Sequence, residues 1–132
     1  MKEIVKTAKA PNPVGPYNQA VIFNGMVFTA GQIAIDPATN QVTDGDISEQ
    51  TELVLQNLGA VLNAAGTDFR NVLKTTVFLK NMSDFPAMNE VYGRFFSENS
   101  PARSAVEVSR LPKDVLVEIE CVAAVPGAGD NG

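Results

Sequence analysis

The stretch PARSAVEVSRLPKDVLVEIEC, residues 101–121, reads as two strands joined by a short loop at Ser109 to Asp114. Strand side chains point alternately to opposite sides. Arg103, Ala105 and Glu107 therefore share one face of the first strand, and Leu116, Glu118, Glu120 and Val122 share one face of the second. So short a loop makes the pair a hairpin. With a register symmetric about the loop, Ala105 stands opposite Glu118 and Arg103 opposite Glu120, bringing both carboxylates within reach of one guanidinium. The chain has no histidine, so this grouping of charges is its best candidate for chemistry. A planar guanidinium fork suits a substrate carboxylate, and a nearby Glu suits a water molecule. On composition alone the same residues also fit a surface cross-strand pair, worth ~0.2–1 kcal/mol.

Outward from this stretch, Val115, Val117, Ile119, Cys121, Ala123 and Val125 form a row that needs one buried side, and Cys121 reads as core. Upstream, Ala20 to Phe23 and Val27 to Ala30 flank Asn24-Gly25-Met26, where Asn-Gly signals a hairpin because both residues tolerate positive φ. From Ile47 the apolar residues fall at helical spacing, with Asp46 and Glu49 as a capping pair and Gly66 as the stop. Val72 to Lys80 is rich in β-branched and aromatic residues and reads as a strand. Ser83 or Asp84 then caps a second helix, whose Phe85, Met88, Tyr92, Phe95 and Phe96 line one apolar face. Asn89 lies on or beside that face, where it suits a hydrogen-bonded core amide or a site residue. The order strand, strand, helix, strand, helix, strand, strand gives an α+β fold with two helices packed on one face of a mixed β-sheet.

Length predicts one domain over residues 1–126, with 127–132 as a frayed, Gly-rich tail. The net charge of −5 and pI near 4.6 argue against a general nucleic-acid or anionic-membrane binder. An anionic substrate must therefore be captured by a local positive site. No apolar run reaches the ~18 residues of a membrane span, and the charged first ten residues do not suit a signal peptide, so the reading is a soluble, cytoplasmic protein. The single cysteine excludes an intrachain disulfide, and no His or Cys cluster accompanies the carboxylates to suggest a metal.

Gly15-Pro16-Tyr17, Thr29-Ala30-Gly31-Gln32-Ile33, Lys74-Thr75-Thr76-Val77-Phe78-Leu79, Asn89 to Tyr92 and Pro101-Ala102-Arg103-Ser104 occur in this order along the chain. The ordered set resembles the RidA (YjgF/YER057c/UK114) family of reactive-intermediate imine deaminases, from about Ala10 to Val125. The resemblance implies a fold similar to chorismate mutase, a homotrimer with pockets between subunits, and no cofactor. It also implies hydrolysis of 2-imino or enamine acids, such as 2-iminobutanoate and 2-iminopropanoate, to 2-oxo acids and ammonia in amino-acid metabolism. Other roles linked to the family are a non-catalytic ligand-binding or regulatory trimer and an endoribonuclease that inhibits translation.

Carried over by position, the resemblance gives Arg103 the substrate carboxylate and favours Glu118 over Glu120 for the water; Glu120, two residues on along the same face, is a second candidate base, a neutralising partner, or a residue turned to a different environment by strand twist. Gly31 and Ala105 contribute backbone contacts to the imine, Tyr17 closes the pocket and Asn89 borders it. Tyr17 also suits a plain packing role after a turn set by Gly15 and Pro16. Many relatives carry Cys where this chain has Ala105 and Ser where it has Ala30, so a thiol at the first position has no part here.

Overall fold

The computed structural model describes residues 1–127, so the tail expected at 127–132 lies outside the described residues beyond its first member. Strands β1 (Glu3–Val5), β2 (Ala20–Phe23) and β3 (Met26–Thr29) form an antiparallel ribbon. The β2–β3 turn is Asn24-Gly25 alone, with φ of 52° and 73°, and the second strand starts one residue earlier than expected. Both turn residues are left-handed, the geometry whose twist matches the flanking strands. A small hairpin of β4 (Ile35–Asp36) and β5 (Gln41–Val42) follows. Helix α1 spans Ile47–Ala64 and opens with the expected capping box, in which Asp46 Oδ1 accepts from Glu49 N at 2.9 Å and Glu49 Oε1 from Asp46 N at 3.2 Å. Gly66, at φ 89°, takes the chain away from its end.

Strand β6 (Val72–Leu79) leads to α2 (Phe85–Phe95), then to β7 (Ala102–Glu107) and β8 (Val117–Ala124). The side-chain cap expected from Ser83 or Asp84 does not form. Asp84 is already in the right-handed helical region, at the end of a 3₁₀ turn, whereas capping needs an extended residue. That turn is held instead from β7, through a 2.7 Å bond from Met82 N to Glu107 Oε1.

The main sheet runs β1-β2-β3-β8-β6-β7, and this order corrects the hairpin expected from residues 101–121. Strands β7 and β8 are not neighbours, because β6 lies between them. The connection through α2 makes β7 parallel to β6, with Thr75 beside Arg103, while β8 pairs antiparallel along the other edge of β6, with Phe78 beside Glu118 and Thr76 beside Glu120. The loop from Val108 to Leu116 crosses the end of β6 and is fastened there by Val108 N to Leu79 O, 2.9 Å, and Lys80 N to Leu116 O, 3.0 Å. Paired residues on adjacent strands share a face. Arg103 therefore faces the helices with Thr75, and Glu118 and Glu120 face the opposite side with Phe78 and Thr76.

The helix-facing side is the core. Val77, Leu79, Val117, Ile119, Cys121 and Ala123 from the sheet pack with Val54, Leu55, Leu58, Val61 and Leu62 of α1 and with Met88 and Tyr92 of α2. Each such aliphatic side chain contributes roughly 1.5–3 kcal/mol by leaving water. The opposite side, which carries Phe28, Val106, Glu118, Glu120 and Val122, has no covering layer among the described residues, and Phe28 and Val106 remain exposed there. No described helix is long and apolar enough to cross a membrane.

Candidate functional site

Glu118 stands at the wall of a cavity of about 360 Å³, together with Val14, Tyr17, Gly31, Ile33 and Lys113. A bridge between Gln32 and Ile119 brings the Gly31 segment against β8, with reciprocal backbone bonds of 2.9 and 3.1 Å. This contact explains the glycine. A Cβ on residue 31 would lie 2.7 Å from Glu118 Cδ and 2.9 Å from Cγ, so the carboxylate occupies the space that a side chain would fill. Burial raises the Glu118 pKa above the ordinary carboxylate range, and the nearby negative charge of Glu120 raises it further. Glu118 has no ion-pair partner among the described residues. Glu120 is half-buried on the same face but does not line this cavity.

The rim comes from loops whose conformations follow from their residues. Tyr17 sits beyond a tight turn, with its N–H donating to Gly15 O at 2.8 Å, and its hydroxyl accepts from Val14 N at 3.2 Å. Tyr17 is 46% exposed, so it is a lip of the cavity rather than a core residue. Gln19, which sequence reading passed over, is buried and fixes the preceding segment by donating to Thr7, Ala10 and Pro11 carbonyls while accepting from Thr7 N. On the other side of the rim, Lys113 and Asp114 adopt left-handed φ of 55° and 57°. Asp114 pairs with Arg110 at 2.9 Å, which lowers the aspartate pKa, but both groups are exposed and the pair adds little stability.

Arg103 belongs to a separate concavity of about 400 Å³, shared with Asn89, Tyr92, Gly93 and Ser100. Its Nη1 donates to Asn89 Oδ1 at 2.7 Å, and the guanidinium carbon lies 4.7 Å from the Tyr92 ring centroid and 5.2 Å from that of Phe85. The Tyr92 hydroxyl shares a buried 2.7 Å hydrogen bond with Thr75 Oγ1, and burial raises its pKa. Asn89 is thus an exposed amide held by Arg103, not a core polar group. Ala105 lies two residues along β7 from Arg103, half-buried at the edge of the core.

The expected residues therefore fall into two groups. Tyr17, Gly31 and Glu118 come together in one cavity, and Arg103, Asn89 and Ala105 cluster on the other side of the sheet. Sequence reading placed Phe85 and Tyr92 in a hydrophobic stripe without linking them to Arg103. Their offsets of four and three residues from Asn89 were the available signal, since such positions adjoin on a helix.

Residues 7–125 match the family model described as Endoribonuclease L-PSP. The chain belongs to the RidA (YjgF) family. Among its relatives is a RutC family protein of Synechocystis sp., 60% identical over 126 residues, covering 94% of this chain and 97% of the relative. The 2-iminobutanoate/2-iminopropanoate deaminase of Homo sapiens is 45% identical over 123 residues, covering 93% and 90%. Among solved structures, a Yersinia pestis protein described as of unknown function in the conserved Rid family superposes with a TM-score of 0.92 at 45% identity, covering 95% of this chain and all of that one. RidA membership, read from the ordered motifs, and the α+β fold with two helices on a mixed sheet, read from the element order, both hold.

Proposed function

We propose that this RidA-family chain is a cytoplasmic 2-iminobutanoate/2-iminopropanoate deaminase of amino-acid metabolism, working as a homotrimer without a cofactor. The observation that carries the reading is Glu118. Its carboxylate is half-buried at a cavity wall, fills the space left by Gly31, has a raised pKa and has no ion-pair partner among the described residues. Such a group is a better proton acceptor than an exposed glutamate. The human relative's name supports the substrate class.

Arg103 and Glu118 face opposite sides of one sheet, so the proposed site takes Arg103 from one subunit and Glu118 from the adjoining one. The uncovered sheet face, with exposed Phe28 and Val106, supports packing against further copies. Arg103 binds the substrate carboxylate, setting the imine carbon before a water held by Glu118. Glu118 removes a proton as the water oxygen bonds to C2 and the C=N π electrons move onto nitrogen. The protonated Glu118 then passes that proton to the amine of the tetrahedral intermediate. The hydroxyl proton then passes to the leaving nitrogen as the C–N bond breaks, so that ammonia departs and the hydroxyl oxygen becomes the 2-oxo group. An imine is already electrophilic, so general-base help of ~10²–10⁴-fold is adequate without a metal.

The test generates 2-iminobutanoate and 2-iminopropanoate in situ with a threonine/serine dehydratase and follows 2-oxo acid release. Acceleration by the wild type and its loss in Arg103→Ala are expected. A folded wild type that gives no acceleration overturns the proposal and turns attention to a ligand-binding or regulatory role.

A further inference from the structure

The mechanism above leaves two aromatic rings without a role. Phe85 and Tyr92 lie on α2 with Asn89 between them, at offsets that set all three toward β7. Both rings lie close to the Arg103 guanidinium, and Asn89 ties its Nη1. Rings beside the flat cation and a bond to one terminal nitrogen leave it little freedom to rotate. Tyr92 is itself anchored, because its hydroxyl bonds to Thr75, the residue paired with Arg103 across the β6–β7 ladder. The plane of the guanidinium is thereby referred to the sheet by two routes, one through its own strand and one through helix, ring and hydroxyl.

We infer that Phe85 and Tyr92 are positioning residues for carboxylate recognition, their rings fixing the plane in which Arg103 meets the carboxylate of a small 2-imino or 2-oxo acid. This deepens the proposed function and rests on it for the assignment of the carboxylate to Arg103. A fork held in advance forms two parallel bonds without first losing side-chain freedom on binding. The rings also offer their faces to the cation, where cation–π attraction is strongest.

A purely structural role for the rings makes a different forecast. Losing them would then lower thermal stability and leave binding by the folded protein unchanged. The full chain is titrated with 2-oxobutanoate by calorimetry, and imine hydrolysis is measured in parallel, for wild type, Phe85→Leu, Tyr92→Leu and Tyr92→Phe. Each leucine variant is expected to raise Kd and KM by about tenfold while kcat moves less than about threefold, as the cost of immobilising one freed Arg side chain on binding implies. Tyr92→Phe retains the ring and should keep Kd within about twofold, while its melting temperature falls because Thr75 loses its partner.

A folded Phe85→Leu protein with wild-type Kd and KM overturns the inference. So does a Tyr92→Phe protein that binds as poorly as Tyr92→Leu, since the hydroxyl and not the ring would then matter. Should Tyr92→Leu fail to fold, the half-buried Phe85 decides alone. A wild type that binds 2-oxobutanoate without hydrolysing imines refutes the deaminase and leaves the Kd comparison valid. One that hydrolyses imines but binds the product too weakly to titrate is judged on KM. One that does neither removes the carboxylate from Arg103 and overturns the inference.

Discussion

Replacing Gly31 by alanine places one methyl group where Glu118 now lies. The new carbon would sit 2.7 Å from Glu118 Cδ, about 0.8 Å closer than the ~3.5 Å at which carbon atoms rest. Gly31 is not among the positive-φ residues, so the backbone itself accepts a side chain. The strain therefore falls on the glutamate, which is half-buried and has rotamers into which to retreat. A displacement near 1 Å of a catalytic group can cost about 10²-fold in rate. Gly31→Ala is accordingly expected to lower kcat/KM for 2-iminobutanoate by about 10²-fold, with the melting temperature shifted only slightly. The assay couples imine release by a dehydratase to 2-oxo acid detection and is paired with a thermal melt. Full turnover by a Gly31→Ala protein of unchanged stability would refute both the crowding argument and the placement of the base.

Glu118→Gln should abolish turnover yet stabilise the fold at pH 7. The carboxylate pKa is raised on folding, so its favourable contribution exists at low pH and falls as pH climbs through the raised value, leaving a net cost at neutrality that Gln removes. A lower melting temperature for this variant at pH 7 would contradict that sign. The acid limb of the pH–rate profile should lie above the ordinary glutamate range, and Glu120→Gln should move it downward without abolishing activity, because burial, the larger cause, persists; abolished activity would make Glu120 the base. Burial pushes the Cys121 thiol up to about 12, so a disulfide reagent at pH 8 should label the native protein slowly and the unfolded chain at once. Rapid native labelling would place Cys121 outside the core. Asp46→Ala removes the α1 cap and should lower stability by about 1 kcal/mol in a denaturant titration, leaving kcat/KM unchanged.

Local chemistry made much of the fold legible. Asn24-Gly25 announced its turn, and Asp46 with Glu49 announced the start of α1, because each signal is complete within a few residues. The alternation along residues 117–123 also identified the buried face of β8. Alternation assigns faces only within a strand, however, and the relative phase of two strands depends on what lies between them. Residues 101–121 looked like a hairpin because their strands are close in sequence, yet β6 offered an edge to each, and its insertion turned Arg103 and Glu118 to opposite sides. The strand β1 escaped notice because it is short, charged and at an edge, and β4 and β5 are two residues each. The motif resemblance named Arg103 and Glu118, but the shelf beneath the arginine required a helix and a strand to be seen together.

That opposite placement has a genetic consequence. A chain lacking Arg103 and a chain lacking Glu118 are each expected to be inactive alone. If the two groups act across a subunit boundary, chains of the two kinds assembled in equal amounts would rebuild about a quarter of the boundaries with both groups intact. Two dead alleles expressed in one cell would then complement each other, whereas a site completed within one chain would remain silent in every mixture.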